Sequence, residues 1–199
     1  MSPFEPRSLI RRQVPAVLTL LAGLMLCGAL APREARSEDV SEHPLIGARA
    51  PHFRLRALDG ETVDLDALSG RFVIVHFATT WCPYCNAEAP ALQRLHETYG
   101  ERGVSVLVID VKEDREQVMA WAARHRWGFP VLLDADGTVT GAYAPEVHPD
   151  LPRDEVPIAS NLLIDREGRI QFYSLLDSRR FDAKLAGLER RLAALLEAE

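Results

Sequence analysis

The stretch Phe72-Val73-Ile74-Val75-His76-Phe77-Ala78-Thr79-Thr80-Trp81-Cys82-Pro83-Tyr84-Cys85 decides how this chain folds. Phe72 to Ala78 is a nearly continuous apolar run, as expected of a central strand covered on both faces. Past it, a helix is predicted from near Cys82 to about Tyr99, with Leu92, Leu95 and Tyr99 on one side and Gly100 ending it. A Cys-x-x-Cys pair placed at a helix N-terminus is chemically specific. Unpaired backbone N–H groups and the helix dipole favour negative charge there. Cys82 is therefore expected as the exposed thiolate that attacks a disulfide. Cys85, one turn in, is expected as the resolving thiol. Pro83 fits an early helical position because its missing N–H costs nothing there. A zinc half-site would need two further Cys or His ligands, and the sequence has no second pair. No cofactor and no resident metal are read from the sequence.

The chain has 199 residues, of which 47% are hydrophobic and 26% charged, with three cysteines. One of these, Cys27, lies in the N-terminal segment, so the folded body holds two cysteines only three positions apart. A structural disulfide closing so small a loop would constrain little of the unfolded chain, so reactivity is the better reason for the pair. Net charge is -6, and with five arginines in residues 1–36 the remainder is more acidic still. Such a body is repelled by phosphate backbones, and nucleic-acid binding is not expected.

Arg7, Arg11 and Arg12 precede an uncharged, mostly apolar run from Val14 to Pro32, after which Arg33 and Glu34 restore polarity. Residues 1–36 therefore read as an export signal or a membrane anchor, with residues 14–31 as the tether if it is retained. Ala29-Leu30-Ala31 suits a signal peptidase, although Pro32 hinders cleavage there. Residues 37–50 read as a polar linker and 51–199 as the folded domain. Phe53 and Leu55 alternate with arginines, and Asp59-Gly60 turns the chain into Thr62, Val63 and Leu65, a hairpin signature. A second buried strand is expected from Val104 to Ile109, an amphipathic helix over 114–126 and a short strand at Val131–Leu133. Ala144 to Pro157 carries four prolines and is expected as an inserted loop. Leu162–Ile164 and Ile170–Tyr173 flank an Asp165–Gly168 turn. Leu185, Leu188, Leu192 and Leu195 mark a closing helix. This order describes an α/β sandwich around a mixed sheet.

Val73 to Pro90 resembles the active-site region of the TlpA/ResA-like thioredoxin-fold reductases. The resemblance extends over residues 45–195, including Phe129 to Asp134 and Leu163 to Gly168. It implies a thioredoxin-like fold, extracytoplasmic (periplasmic) location and protein disulfides as substrates; a reductase in an oxidising compartment also needs an electron donor, expected as a membrane thiol-disulfide carrier. Cytochrome c maturation is one setting it implies. Trp81, Pro83 and Tyr84 would form the apolar rim that receives substrate. Glu88 falls where relatives carry a glutamate, three residues after Cys85 and on the same helix side, so it could exchange protons with that thiol. His76 replaces the usual Asp or Asn beneath the cysteines; either it titrates near neutral pH and takes the Cys85 proton, or it is a neutral histidine hydrogen-bonded in the sheet. The family's cis-proline position falls at Ala159. Either Pro157 supplies that proline, followed by a two-residue bulge, or the site has none. Two other functions stay open. One is a peroxiredoxin-like thiol peroxidase. The other is copper handling by Cys82, Cys85 and a distant histidine such as His148.

Overall fold

The computed structural model describes residues 43–143, 160–174 and 181–198. A seven-stranded mixed sheet runs through these residues in the order β2-β1-β5-β4-β3-β6-β7. Its strands are β1 (Arg54–Ala57), β2 (Thr62–Asp64), β3 (Phe72–Ala78), β4 (Val104–Val111), β5 (Val131–Asp134), β6 (Ser160–Ile164) and β7 (Ile170–Ser174). The helices are α1 (Pro83–Tyr99), α2 (Arg115–His125), the short α3 (Thr138–Ala142) and α4 (Ala186–Glu197). The predicted elements are all present, and α3 is an addition that a five-residue helix gives too little periodicity to announce.

All seven residues of β3 are buried, as its nearly continuous apolar run leads one to expect. It pairs in parallel with β4 and antiparallel with β6. Because successive side chains point to opposite faces, the strand feeds two cores. Ile74, Val106, Val108 and Leu163 meet Leu92 and Leu95 of α1, Val118 and Trp121 of α2, and Leu188 and Leu192 of α4. Val75, Phe77, Leu107 and Ile109 meet Phe53, Leu132, Leu162 and Tyr143 on the other side. The parallel steps from β3 to β4 and from β4 to β5 run the same way across the sheet. Helices α1 and α2 therefore share one face, and α2 arrives beside the loop that leads into α1.

The segment read as linker is, from residue 45 onward, part of the body. Gly47 N–H donates to the Ile170 carbonyl at 2.8 Å, Ala50 N–H to that of Gly168 at 2.8 Å, and Ile170 N–H to that of Ala48 at 2.9 Å. Leu45 and Ile46 pack on the second core beside buried Ala50. Proline spacing concealed this, because the segment pairs with a turn more than a hundred residues away rather than with its neighbours. The Pro-rich loop and the N-terminal segment lie outside the described residues. Among the described residues no helix is long and apolar enough to cross a membrane.

Candidate active site

β3 ends at Ala78, the chain turns through Thr79 to Trp81, and Cys82 becomes the N-cap of α1 with Pro83 at the first helical position. The Cys82 Sγ accepts the Cys85 backbone N–H at 3.3 Å. Both cysteines are free. Cys85 is fully buried, as expected one turn in. Cys82 is also buried, at 1% exposure, which corrects the expectation of an open thiol. The physical reason is the cap itself: a side chain that satisfies its own helix N–H must fold back onto the helix. Burial pushes the Cys85 thiol far above its ordinary range, and Cys82 and Glu88 beside it push the same way.

Outside this buried pair lies the rim. Trp81 is 67% exposed, Pro83 is exposed, and half-buried Tyr84 meets the Phe181 ring edge-on at 4.8 Å. Phe181 was missed by sequence reasoning, since nothing local ties it to a motif almost a hundred residues upstream. Pro157 and His148 lie outside the described residues.

Beneath the cysteines, the sheet and α1 bring Glu88 and His76 together through a residue the sequence did not single out. His76 Nδ1 lies 2.9 Å from Asn161 Oδ1, and Asn161 Nδ2 donates to Glu88 Oε1 at 3.1 Å. Register explains the meeting, because His76 on β3 stands directly opposite Asn161 on β6. A second contact, His76 Nδ1 to Glu88 Oε2, is 3.6 Å long. Neither group gains the charge such a contact would reward. Burial lowers the His76 pKa to about 4, against the opposing pull of its Asn161 bond. Burial raises that of Glu88 to about 8, with Asp182 adding to it and Asn161 opposing. Of the two readings of His76, the neutral histidine hydrogen-bonded in the sheet is the one these contacts support, and Glu88 is the group left to change charge. His76 Nε2 and Glu88 Oε2 have no hydrogen-bond partner.

A second buried carboxyl, Asp110, stands opposite Ala78 at the end of β4. Burial and the neighbouring Glu113 raise its pKa to about 8. Glu113 in turn accepts from the Thr80 backbone N–H and from Thr80 Oγ1, the latter at 2.8 Å. Sequence reasoning passed over both acids because each carries meaning only beside the turn that β3 makes.

A buried dithiol at the mouth of a helix, backed by a neutral carboxyl and framed by an aromatic rim, on a mixed sheet of this order, defines a thioredoxin-fold thiol-disulfide oxidoreductase. Comparison with known proteins places the chain within that class. The sequence matches the AhpC/TSA family over residues 46–173. It is 28% identical over 148 residues to the thiol-disulfide oxidoreductase ResA of Bacillus thuringiensis subsp. konkukian, covering 74% of this chain and 80% of that one. With ResA of Geobacillus thermodenitrificans it shares 30% identity over 126 residues, 63% of this chain and 67% of the relative. The crystal structure of a thiol:disulfide interchange protein from Chlorobium tepidum superposes with a TM-score of 0.61 at 24% identity, over 74% of this chain and 95% of that one. The chain belongs to the AhpC/TSA family and, within it, to the ResA-like thiol-disulfide oxidoreductases.

Proposed function

We propose that this protein reduces or exchanges disulfides of other proteins outside the cytoplasm, with Cys82 as nucleophile and Cys85 as resolving thiol. The observation that carries the reading is the N-cap geometry, in which Cys82 Sγ faces the open end of α1 and Cys85 waits behind it. Cys82 attacks a substrate disulfide: one bond forms from its sulfur to a substrate sulfur, the substrate S–S bond breaks, and the second sulfur leaves as a thiolate. Cys85 then attacks the Cys82 sulfur, closes the protein disulfide and releases the second substrate thiol, so that two electrons pass to the substrate. Covalent capture of Cys82 also removes two of the influences that hold Cys85 protonated, its hydrogen bond and its charge interaction with Cys82. The resolving thiol is thereby easier to ionise at the step that needs it. In its ionised form, which becomes the major one only above about pH 8, Glu88 accepts the proton, and the transfer removes the negative charge that opposed the thiolate.

Trp81, Pro83, Tyr84 and Phe181 supply an apolar rim for an extended polypeptide. Residues 1–36 direct export, either cleaved or kept as a tether through residues 14–31. Each cycle leaves a disulfide that a dithiol donor must reduce, and in an oxidising compartment a membrane thiol-disulfide carrier is the fitting source. Cytochrome c maturation is one setting for such a reductase.

An insulin-disulfide assay run beside a hydrogen peroxide turnover assay tests the proposal. Steady insulin reduction with a dithiol donor, lost in Cys82→Ser, and negligible peroxide turnover are expected. Efficient peroxide turnover with no insulin reduction would instead make the protein a thiol peroxidase.

A further inference from the structure

We propose that Asn86 is the positioning residue of the reactive thiol, a clamp through which α2 fixes the loop that carries Trp81 and Cys82. The inference rests on the reading of Cys82 as nucleophile and names a control on it that the cysteine motif does not contain.

The turn from β3 into α1 brings two backbone carbonyls, those of Thr80 and Cys82, against the first turn of the helix. Backbone acceptors withdrawn from water need donors. Asn86 Nδ2 provides both, at 3.1 Å to the Thr80 carbonyl and 2.7 Å to the Cys82 carbonyl. The Asn86 backbone N–H also donates to the Cys82 carbonyl, at 3.1 Å. On the opposite edge of the amide, Oδ1 accepts from Trp121 Nε1 at 2.8 Å and lies 3.0 Å from His125 Nε2. These partners leave one orientation. Two carbonyls require the NH₂ on one side, and the indole N–H, which can only donate, requires the oxygen on the other. His125 must then donate through Nε2–H, so gaining a second proton would leave this bond in place.

Every donor and acceptor of the amide is thus used, and its two ends join elements from different parts of the chain. Trp121 is fully buried and anchors the oxygen side in the core of the first sheet face. The clasped carbonyls bracket Trp81, which holds that ring outward at 67% exposure. They also fix the extended backbone of Cys82, φ -71° and ψ 117°, from which Sγ reaches the Cys85 N–H. Glu113, two residues before α2, grips Thr80, and Gln117 Nε2 on the helix donates to both Thr80 Oγ1 and Glu113 Oε1, at 2.7 and 2.6 Å. The loop is therefore held from both sides by α2 and the residue leading into it, neither of which carries a cysteine. A nucleophile aimed in this way depends on the clamp for its attack geometry, where small displacements are costly.

The test measures the alkylation rates of Cys82 and Cys85 by mass mapping with iodoacetamide on the reduced protein, the equilibrium constant with glutathione, and the melting temperature. The variants are Asn86→Ala, Asn86→Asp, Trp121→Phe and His125→Phe. Asn86→Asp keeps the shape but loses both N–H donors, and Trp121→Phe keeps a ring in the core while removing one donor to the amide. We expect Asn86→Ala and Asn86→Asp to slow Cys82 alkylation about tenfold, the scale that small misplacement of reacting groups produces. The two α2 variants should slow it by a smaller factor, and all four should shift the glutathione equilibrium. A reactive Cys82 in the unsubstituted protein, with rates and equilibrium unchanged in the variants while only the melting temperature falls, would overturn the clamp alone. A Cys82 no faster than Cys85 in the unsubstituted protein would overturn the nucleophile assignment and the clamp with it.

Discussion

Glu88 and His76 share one amide, that of Asn161, yet burial moves them in opposite directions, the acid up to about 8 and the base down to about 4. Desolvation disfavours whichever form is charged, so both sit neutral near pH 7. Only the acid is left to titrate near neutrality. Glu88→Gln should therefore raise the thiolate fraction of Cys85 above about pH 8, read from thiolate absorbance, because a like charge is gone. In that same range, where Glu88 is ionised, it should also slow mixed-disulfide resolution several-fold, because the proton acceptor is gone. His76→Asn should leave the exchange profile between about pH 5.5 and 7.5 unchanged; a flattened profile would return His76 to the role of titrating base. Asp110 extends the argument to stability. A carboxyl whose folded pKa is raised stabilises fully below its unfolded value, and this contribution is lost as pH rises through the folded one. The depressed pKa of His76 works the other way, its contribution present above 6.5 and lost as pH falls through about 4. Between 6.5 and about 8 Glu88 and Asp110 are the groups among the described residues that act, and stability should fall with rising pH, by at most ~1.4 kcal/mol per pH unit for each acid. Asp110→Asn should roughly halve that slope in urea melts taken across the window; an unchanged slope would place the titration elsewhere.

Among the elements, α1 carries the most function per residue and was also the most legible. Its N-cap, proline, apolar stripe and terminating glycine are local signals, and each has a mechanism that acts within a few residues. What escaped was what the helix touches. Asn86 reads as an ordinary polar residue until α2 brings Trp121 and His125 to it. Asn161 reads as a strand residue until register sets it against His76. The end of α1 is held to α4 by Arg94, whose Nη1 lies 2.8 Å from Glu189 Oε2, but this pair is partly exposed and contributes little. The helix stays in place by burial. Leu92 is fully enclosed between the sheet and α4. Leu92→Ala should cost about 2–5 kcal/mol in equilibrium unfolding. A loss below about 1 kcal/mol would mean that the site collapses around the cavity.

For the whole molecule, the succession of strands and helices and the hairpin could be anticipated because apolar runs and turn residues report on neighbours in sequence. The docking of residues 45–50 onto the Gly168 turn could not, because that pairing joins distant segments and leaves no periodic trace. The same holds for the burial of Cys82, which is a property of the assembled site rather than of its motif. In this assembly two cysteines three positions apart occupy unequal environments, one capping a helix and one sealed behind it. On the proposed reading, this asymmetry divides their labour. The most direct test is to mix reduced Cys85→Ser protein with a disulfide substrate, quench with acid and map the adducts by mass spectrometry. A stable mixed disulfide is expected on Cys82, and Cys82→Ser should form none. Accumulation of the adduct on Cys85 in the Cys82→Ser protein, with none on Cys82 in the Cys85→Ser protein, would contradict it.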